Sequence, residues 1–154
     1  MWNKIKPYVF SILIALAVGA LSAFLTNDNM EIYSQINQPP LAPPSYIFPI
    51  VWTILFILMG ISSAIVYVKS TSNSSKALTI YTIQLIVNFL WSIIFFNLRA
   101  YLFAFIWILL LWILILIMIY EFYKVDKLAA YLQIPYLLWV TFATYLNFMI
   151  FILN

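Results

Sequence analysis

The stretch Tyr101–Tyr120 reads YLFAFIWILLLWILILIMIY, twenty residues with no charge and no Ser, Thr, Asn or Gln. A helix of that length rises about 30 Å, the thickness of a bilayer's hydrocarbon core. The rest of the chain agrees with a membrane reading. Of 154 residues, 67% are hydrophobic and 7% are charged, against roughly 45–50% and 25% in soluble domains. Eleven charges cannot cover the surface of a water-soluble globule of this size. The chain therefore needs an apolar solvent, in which only helices and closed barrels satisfy their backbone groups. Gly occurs only twice and short alternating segments are absent, so the barrel is set aside.

Working outward, four further apolar segments can be read. The expected spans are 8–26, 48–68, 78–97, 101–123 and 129–153, a single five-helix membrane domain over 1–154. The expected fold class is all-α, a polytopic bundle. The second to fifth helices are joined by short links and should be antiparallel neighbours. The link 27–47 is different. It carries Pro39, Pro40, Pro43 and Pro44, which stiffen it toward extended geometry, and apolar Ile32, Tyr33, Ile36, Leu41 and Tyr46. It reads as a cap packed over the bundle end, with a plain surface linker as the alternative.

The charges mark topology. Lys4, Lys6, Lys69, Lys76, Lys124 and Lys127 fall on one side and only Arg99 on the other. The positive-inside rule then places the N-terminus in the cytoplasm, and the proline loop and C-terminus outside a cell membrane. The carboxylates Asp28, Glu31, Glu121 and Asp126 all lie near segment ends. No charge falls mid-span, which speaks against ion-coupled pumping and against hydrolysis by paired carboxylates. Zero Cys and zero His remove thiolate and imidazole metal sites and nucleophiles. The scattered basic residues do not suggest nucleic-acid binding.

What remains for function is neutral. Gln84, Asn88, Trp91 and Phe95 share one helix face and should point inward. Trp52, Phe56, Met59 and Ser63 form a second stripe, and Trp139, Ala143 and Asn147 a third, after the kink signal Pro135-Tyr136. The fourth helix, with Trp107 and Trp112, reads as a lipid-facing wall. Ser11, Ala15, Gly19 and Ala23 make a small-residue ridge. It suits internal packing, a homodimer seam or a flat cavity wall. Aromatic stripes are ordinary core filler. Three helices aiming a Trp and a neutral polar group at one interior, under a stiff lid, suggest a mostly apolar pocket for a flat hydrophobic molecule.

Three stretches carry a resemblance. IYSQINQPPLAPPSYIFPIVWTILFILMG (Ile32–Gly60) offers Tyr33, Pro39, Pro43, Pro44, Trp52 and Gly60. YTIQLIVNFLWSIIFFNLR (Tyr81–Arg99) offers Tyr81, Gln84, Asn88, Trp91, Phe95, Phe96 and Arg99. PYLLWVTFATYLN (Pro135–Asn147) offers Pro135, Tyr136, Trp139, Phe142, Ala143, Leu146 and Asn147. In this order they resemble the translocator protein family, also called tryptophan-rich sensory proteins or peripheral benzodiazepine receptors, in a bacterial-type member. The resemblance implies a five-helix bundle, commonly a homodimer, whose cavity is capped by the first loop. It implies binding of tetrapyrroles such as protoporphyrin IX and of benzodiazepine-site ligands. In some members it implies light-dependent oxidative porphyrin breakdown, with porphyrin as ligand or substrate and no separate cofactor or metal. Passive transport of tetrapyrroles or similar lipophiles is the alternative.

Carried over by position, the ligand-binding set is Ser22, Ala23, Tyr33, Gln38, Pro43, Pro44, Trp52, Phe56, Asn88, Phe89, Trp139, Ala143, Leu146 and Asn147. Trp52 and Trp139 are the catalytic candidates, because they could supply a radical near the ring. Two positions depart from the family: Ile32 stands where Trp is frequent, and Gln38 where Lys is frequent. An amide at 38 can hydrogen-bond a porphyrin carboxylate but cannot pair with it ionically. The animal sterol motif lacks its basic residue after Tyr145, while Leu116, Tyr120 and Lys124 fit the sterol pattern only formally.

Overall fold

The computed structural model describes residues 1–29 and 31–154, without the Ile32 side chain. The contribution expected of Ile32 to the cap therefore lies outside the described residues. Among the described residues seven α-helices follow in order: α1 (Trp2–Thr26), α2 (Ile32–Gln35), α3 (Ile47–Lys69), α4 (Ser74–Ser92), α5 (Tyr101–Val125), α6 (Lys127–Leu132) and α7 (Ile134–Leu153). There is no strand among the described residues. Among the described residues five spans are long and apolar enough to cross a membrane: α1, α3, α4 with its terminal turn, α5, and α6 together with α7. The protein is an all-α, multi-pass membrane bundle.

The elements differ from the sequence reading at four places, each with a local cause. First, α1 begins at Trp2 and not near Tyr8, and Pro7 lies inside it. A proline there leaves one carbonyl a turn earlier without its helical partner, at a helix end with exposed residues from Met1 to Lys6. Second, the proline-rich link is partly helical, with a 3₁₀ turn at Asn27–Asn29 before α2. Third, α4 ends in a π-helical turn, Ile93–Asn97, closed by the Leu98 amide donating to Ile93. Fourth, the last span is broken at Gln133, because Pro135, in the first turn of α7, has no N–H to continue α6.

The packing begins where α1 lies along α3. Ser11 Oγ meets Ser63 Oγ at 2.6 Å. A Cβ added to Gly60 would sit 2.5 Å from the Ile12 Cα, and one added to Gly19 would sit 2.6 Å from the Phe56 ring. The small-residue ridge is therefore used inside the chain, letting two helices touch at backbone distance.

The expected plain lipid wall needs correction. Ala104, Ile108, Leu111, Ile115, Met118 and Phe122 of α5 are buried at spacings of four and three. Trp107 Nε1 donates to the Val87 carbonyl of α4, and Trp112 Nε1 to Thr141 Oγ1 of α7. Only the opposite face, with Phe103, Ile106, Leu110, Ile113 and Ile117, is exposed.

The lysine-rich end is tied by ion pairs. Lys69 Nζ lies 3.3 Å from Asp126, and Lys76 and Lys124 lie 3.5 and 3.6 Å from the buried Glu121. Asp126 also caps α6 by accepting the Ala129 amide. That backbone bond, with Lys69 beside it, holds the Asp126 carboxyl below its usual range.

Two outcomes follow. Gly60→Ala should lower stability by about 1–3 kcal/mol, read as the unfolding midpoint of the full chain in detergent; an unchanged midpoint would mean that α1 gives way freely. Ionised Asp126 stabilises the fold at neutral pH, and that contribution should disappear as pH drops through the carboxylate range. Asp126→Asn keeps the capping oxygen but should flatten the acid limb of the stability profile.

Candidate functional site

On the end opposite the lysines, four spans part around a cavity of about 360 Å³. The inner end of α4 is fixed first. Asn88 Nδ2 donates to the Tyr136 hydroxyl at 2.7 Å, and that hydroxyl donates to Gln84 Oε1 at 2.7 Å. One turn onward, Trp91 Nε1 donates to Asn147 Oδ1, while Asn147 Nδ2 donates to the Tyr101 carbonyl. Gln84, Asn88 and Asn147 are buried, so the inward face expected of α4 and α7 is the face observed. These bonds lock α4 to α7 and α7 to α5.

The walls are then aromatic and small. Trp52 tilts on Phe56 with centroids 5.7 Å apart and meets Tyr136 edge-on at 6.1 Å. Trp91 stacks on Phe95 at 5.1 Å. Ser22 and Ala23, with Gly19 and Ala20, form the flat α1 side. The ridge is therefore both a packing seam and a cavity wall.

The cap closes the outer end. Tyr33 is buried, its ring is edge-on to Phe48, and Phe48 is edge-on to Trp139. The Tyr33 hydroxyl donates to the Pro43 carbonyl at 3.1 Å. Burial raises that hydroxyl's pKa above the usual tyrosine value. The loop is tied down at further points. Tyr145 donates to the Pro40 carbonyl, Asn37 and Asn154 bond reciprocally, and Asn29 donates to Asn97 of the π turn. This is a packed cap and not a free linker.

Of the residues named from sequence, Ser22, Ala23, Tyr33, Trp52, Phe56, Asn88, Trp139, Ala143, Leu146 and Asn147 come together around this cavity. Four do not line it. Pro43 stands behind Tyr33 as its hydrogen-bond acceptor. Pro44 is an exposed loop residue. Gln38 donates its amide to the Tyr33 carbonyl, so it braces the cap. Phe89 lies on a different groove, because one residue past Asn88 is a turn of about 100° around the helix. Sequence reasoning gave Tyr136 no place in the site, although it is the hub of the polar network. Its signals were its position directly after Pro135 and its place among the residues that carry the resemblance.

The chemistry available is narrow. No charged side chain lines the cavity among the described residues, and Tyr33 is its one titratable group. The Asn147 amide is engaged on both sides, and Asn88 holds Tyr136. The Trp139 indole N–H is buried without a partner, and Ser22, Ser92 and Trp52 bring further neutral polar atoms to the lining. The arrangement can bind a flat apolar guest by stacking, with a few neutral polar groups to orient it. It holds no acid–base pair.

These features define a class: a polytopic membrane protein built around an aromatic, small-molecule-sized cavity under a proline-rich cap. Comparison with known proteins makes it specific. Residues 11–153 match the model of the TspO/MBR family. The chain is 39% identical to the tryptophan-rich protein TspO of Chlorobaculum tepidum over 100% of this chain and 99% of that one. It is 36% identical to a tryptophan-rich sensory protein of Cereibacter sphaeroides over 86% and 81%. It is 33% identical to the human translocator protein over 82% and 77%. The chain belongs to the TspO/MBR family.

Tyr136→Phe removes the hydroxyl that joins α4 to α7 and leaves two amides unpaired. A loss of about 1 kcal/mol is expected, read from unfolding in detergent. Asn88→Leu combined with Tyr136→Phe should recover part of that loss, because it removes one of the orphaned partners. Strict additivity of the two changes would show that the network is not a unit.

Proposed function

We propose that the chain binds tetrapyrroles such as protoporphyrin IX, and benzodiazepine-site ligands, in the capped aromatic cavity, and promotes light-dependent oxidative breakdown of the bound porphyrin. The observation that carries this is the lining of the capped cavity, where Trp52, Phe56, Trp91, Phe95 and Trp139 stand around a small-residue side with no charged side chain among them. Such a lining suits a flat, mostly apolar guest. The cavity volume of about 360 Å³ is at the low end of the ~300–1,000 Å³ range of ligand pockets. A macrocycle would therefore enter with displacement of the cap. Its carboxylates find no cation inside, and so would lie toward the water at the loop end.

In the breakdown step the porphyrin absorbs the light and passes its energy to dioxygen. Dioxygen adds across a bridge bond of the ring, and that carbon–carbon bond opens to two carbonyls that keep both oxygen atoms. Trp52 and Trp139 would flank the reacting ring. Passive transport of the guest is less well supported. It needs an exit on the lysine-rich side, where Val66, Ala77, Met118 and Phe122 fill the core.

The same reading places the N-terminus in the cytoplasm, in keeping with six lysines on one end. It includes a homodimer, whose seam must use a face other than the Gly19–Gly60 contacts already occupied within the chain. Single cysteines at position 3 and in the loop, in a chain with no native Cys, would report the orientation by impermeant labelling.

Titration with protoporphyrin IX should quench tryptophan emission. Trp52→Phe and Trp139→Phe each shrink the aromatic wall, and each should weaken binding roughly fivefold, about 1 kcal/mol. In light, the wild type should yield one defined ring-opened product. If free porphyrin, wild type, Trp52→Phe and Trp139→Phe all give the same decay, the protein is only a container. If neither variant changes binding, the pocket assignment is wrong.

A further inference from the structure

Among the described residues that line the aromatic cavity, four are exposed: Ala20 and Ala23 on α1, and Pro49 and Thr53 on α3. The cavity is therefore open at its side, between the loop-end halves of these two helices. Ala20 stands six residues before the end of α1 at Thr26, and Thr53 six residues after the start of α3 at Ile47. The opening thus reaches about 9 Å below the helix ends. Its sill is the contact of Gly19 with the Phe56 ring. The surface around it is apolar and faces outward, with Phe24 78% exposed, Ile50 55% and Ile54 53%. The hydroxyl in its frame is already paired, since Thr53 Oγ1 donates to the Pro49 carbonyl at 2.7 Å.

We propose that this opening is the doorway of the site, and that the guest enters sideways from the leaflet on the loop side. The guest class is then a flat amphiphile already dissolved in the bilayer, with its polar end among the headgroups. The bonding around the cavity favours the side over the top. The cap is held by bonds from Tyr33, Gln38, Tyr145 and Asn29 and by the Asn37–Asn154 pair, and a guest arriving from water must break several together. The end of α1 is tied toward α4, where Asn97 donates to the Leu25 carbonyl. No such tie crosses to α3. Among the described residues the one side-chain hydrogen bond between α1 and α3 joins Ser11 to Ser63, at the far end of the seam. Apolar contacts at the doorway are exchanged for equivalent contacts with lipid when the helices part. A ring can slide in edge-on while its carboxylates stay at the water level, so no ionised group loses its hydration on the way. The cap then yields as a macrocycle fills the chamber. The proposal takes its guest from the porphyrin reading; the doorway itself stands on the geometry of α1 and α3.

The test uses the full chain in phosphatidylcholine vesicles. Ala20→Phe and Thr53→Phe narrow the doorway, and Asn37→Cys with Asn154→Cys, oxidised in a chain with no native Cys, pins the cap. A small apolar probe, trifluoromethyl-iodophenyl diazirine dissolved in the lipid, should photolabel Phe95 and Leu146 inside the wild-type cavity. The doorway variants should lose most of that labelling and keep the labelling of the outward Phe103 and Ile106; pinning the cap should change neither. Stopped-flow quenching by protoporphyrin IX should show both association and dissociation slowed about tenfold in the doorway variants with Kd unchanged, which separates a narrowed entrance from a filled chamber. Full internal labelling or unchanged porphyrin rates in the doorway variants would overturn the proposal, as would loss of internal labelling on pinning the cap. So would a dimer that cross-links through Ala20→Cys, because a second chain would then close the opening. A wild type that labels internally but is not quenched by porphyrin would refute the porphyrin reading and leave the doorway standing.

Discussion

The Tyr136 hydroxyl receives one hydrogen bond from Asn88 and gives another to Gln84, and the rest of the interior is arranged around that node. In lipid there is no hydrophobic force to press helices together, so packing and interhelical hydrogen bonds set their register. The two amides are one turn apart on α4 and face the first turn of α7. Once joined, they also place Trp91 opposite Asn147, where a third bond forms. Most of the amide groups are thereby spent on each other. The cavity that remains is walled mainly by rings.

The close approach of α1 to α3 makes the complementary contribution. At Gly60 the backbone of α1 is so near that a methyl group has no room. Toward the loop the same kind of residue has the opposite effect. Gly19 is still in contact, against the Phe56 ring, but Ala20 and Ala23 beyond it leave space, and that space is the flat side of the cavity. Contact at one end and a void at the other thus come from one run of small side chains, with Phe56 marking the change.

The membrane class and the inward stripes were legible, because amides in a span have to find partners and so reveal which face is interior. The α5 core was not. Inside and outside are both apolar in a membrane, so Ile108 and Ile106 are written in the same letters although one is buried and the other exposed. Tyr136 was hidden for a related reason. A tyrosine near a span end also suits the interfacial belt, and only the facing amides show that its hydroxyl is in the core. Gln38 and Pro43 were identified as cavity residues through resemblance; their polar atoms are taken up by Tyr33, one at its carbonyl and one at its hydroxyl. The break at Gln133 was signalled by Pro135, whereas nothing in the sequence announced the π turn.

The distribution of charge separates two kinds of electrostatics in one small bundle. The lysine end carries ion pairs and a capping carboxylate that respond to acid. The cavity lining has only Tyr33 to titrate, and burial moves that hydroxyl further from neutrality. Across the physiological range the cavity therefore keeps one protonation state. Any pH dependence of ligand binding near neutrality must come from the guest, through its own carboxylates or ring nitrogens. A pocket of this kind selects by shape and flatness, and it leaves reactivity to whatever the guest brings with it.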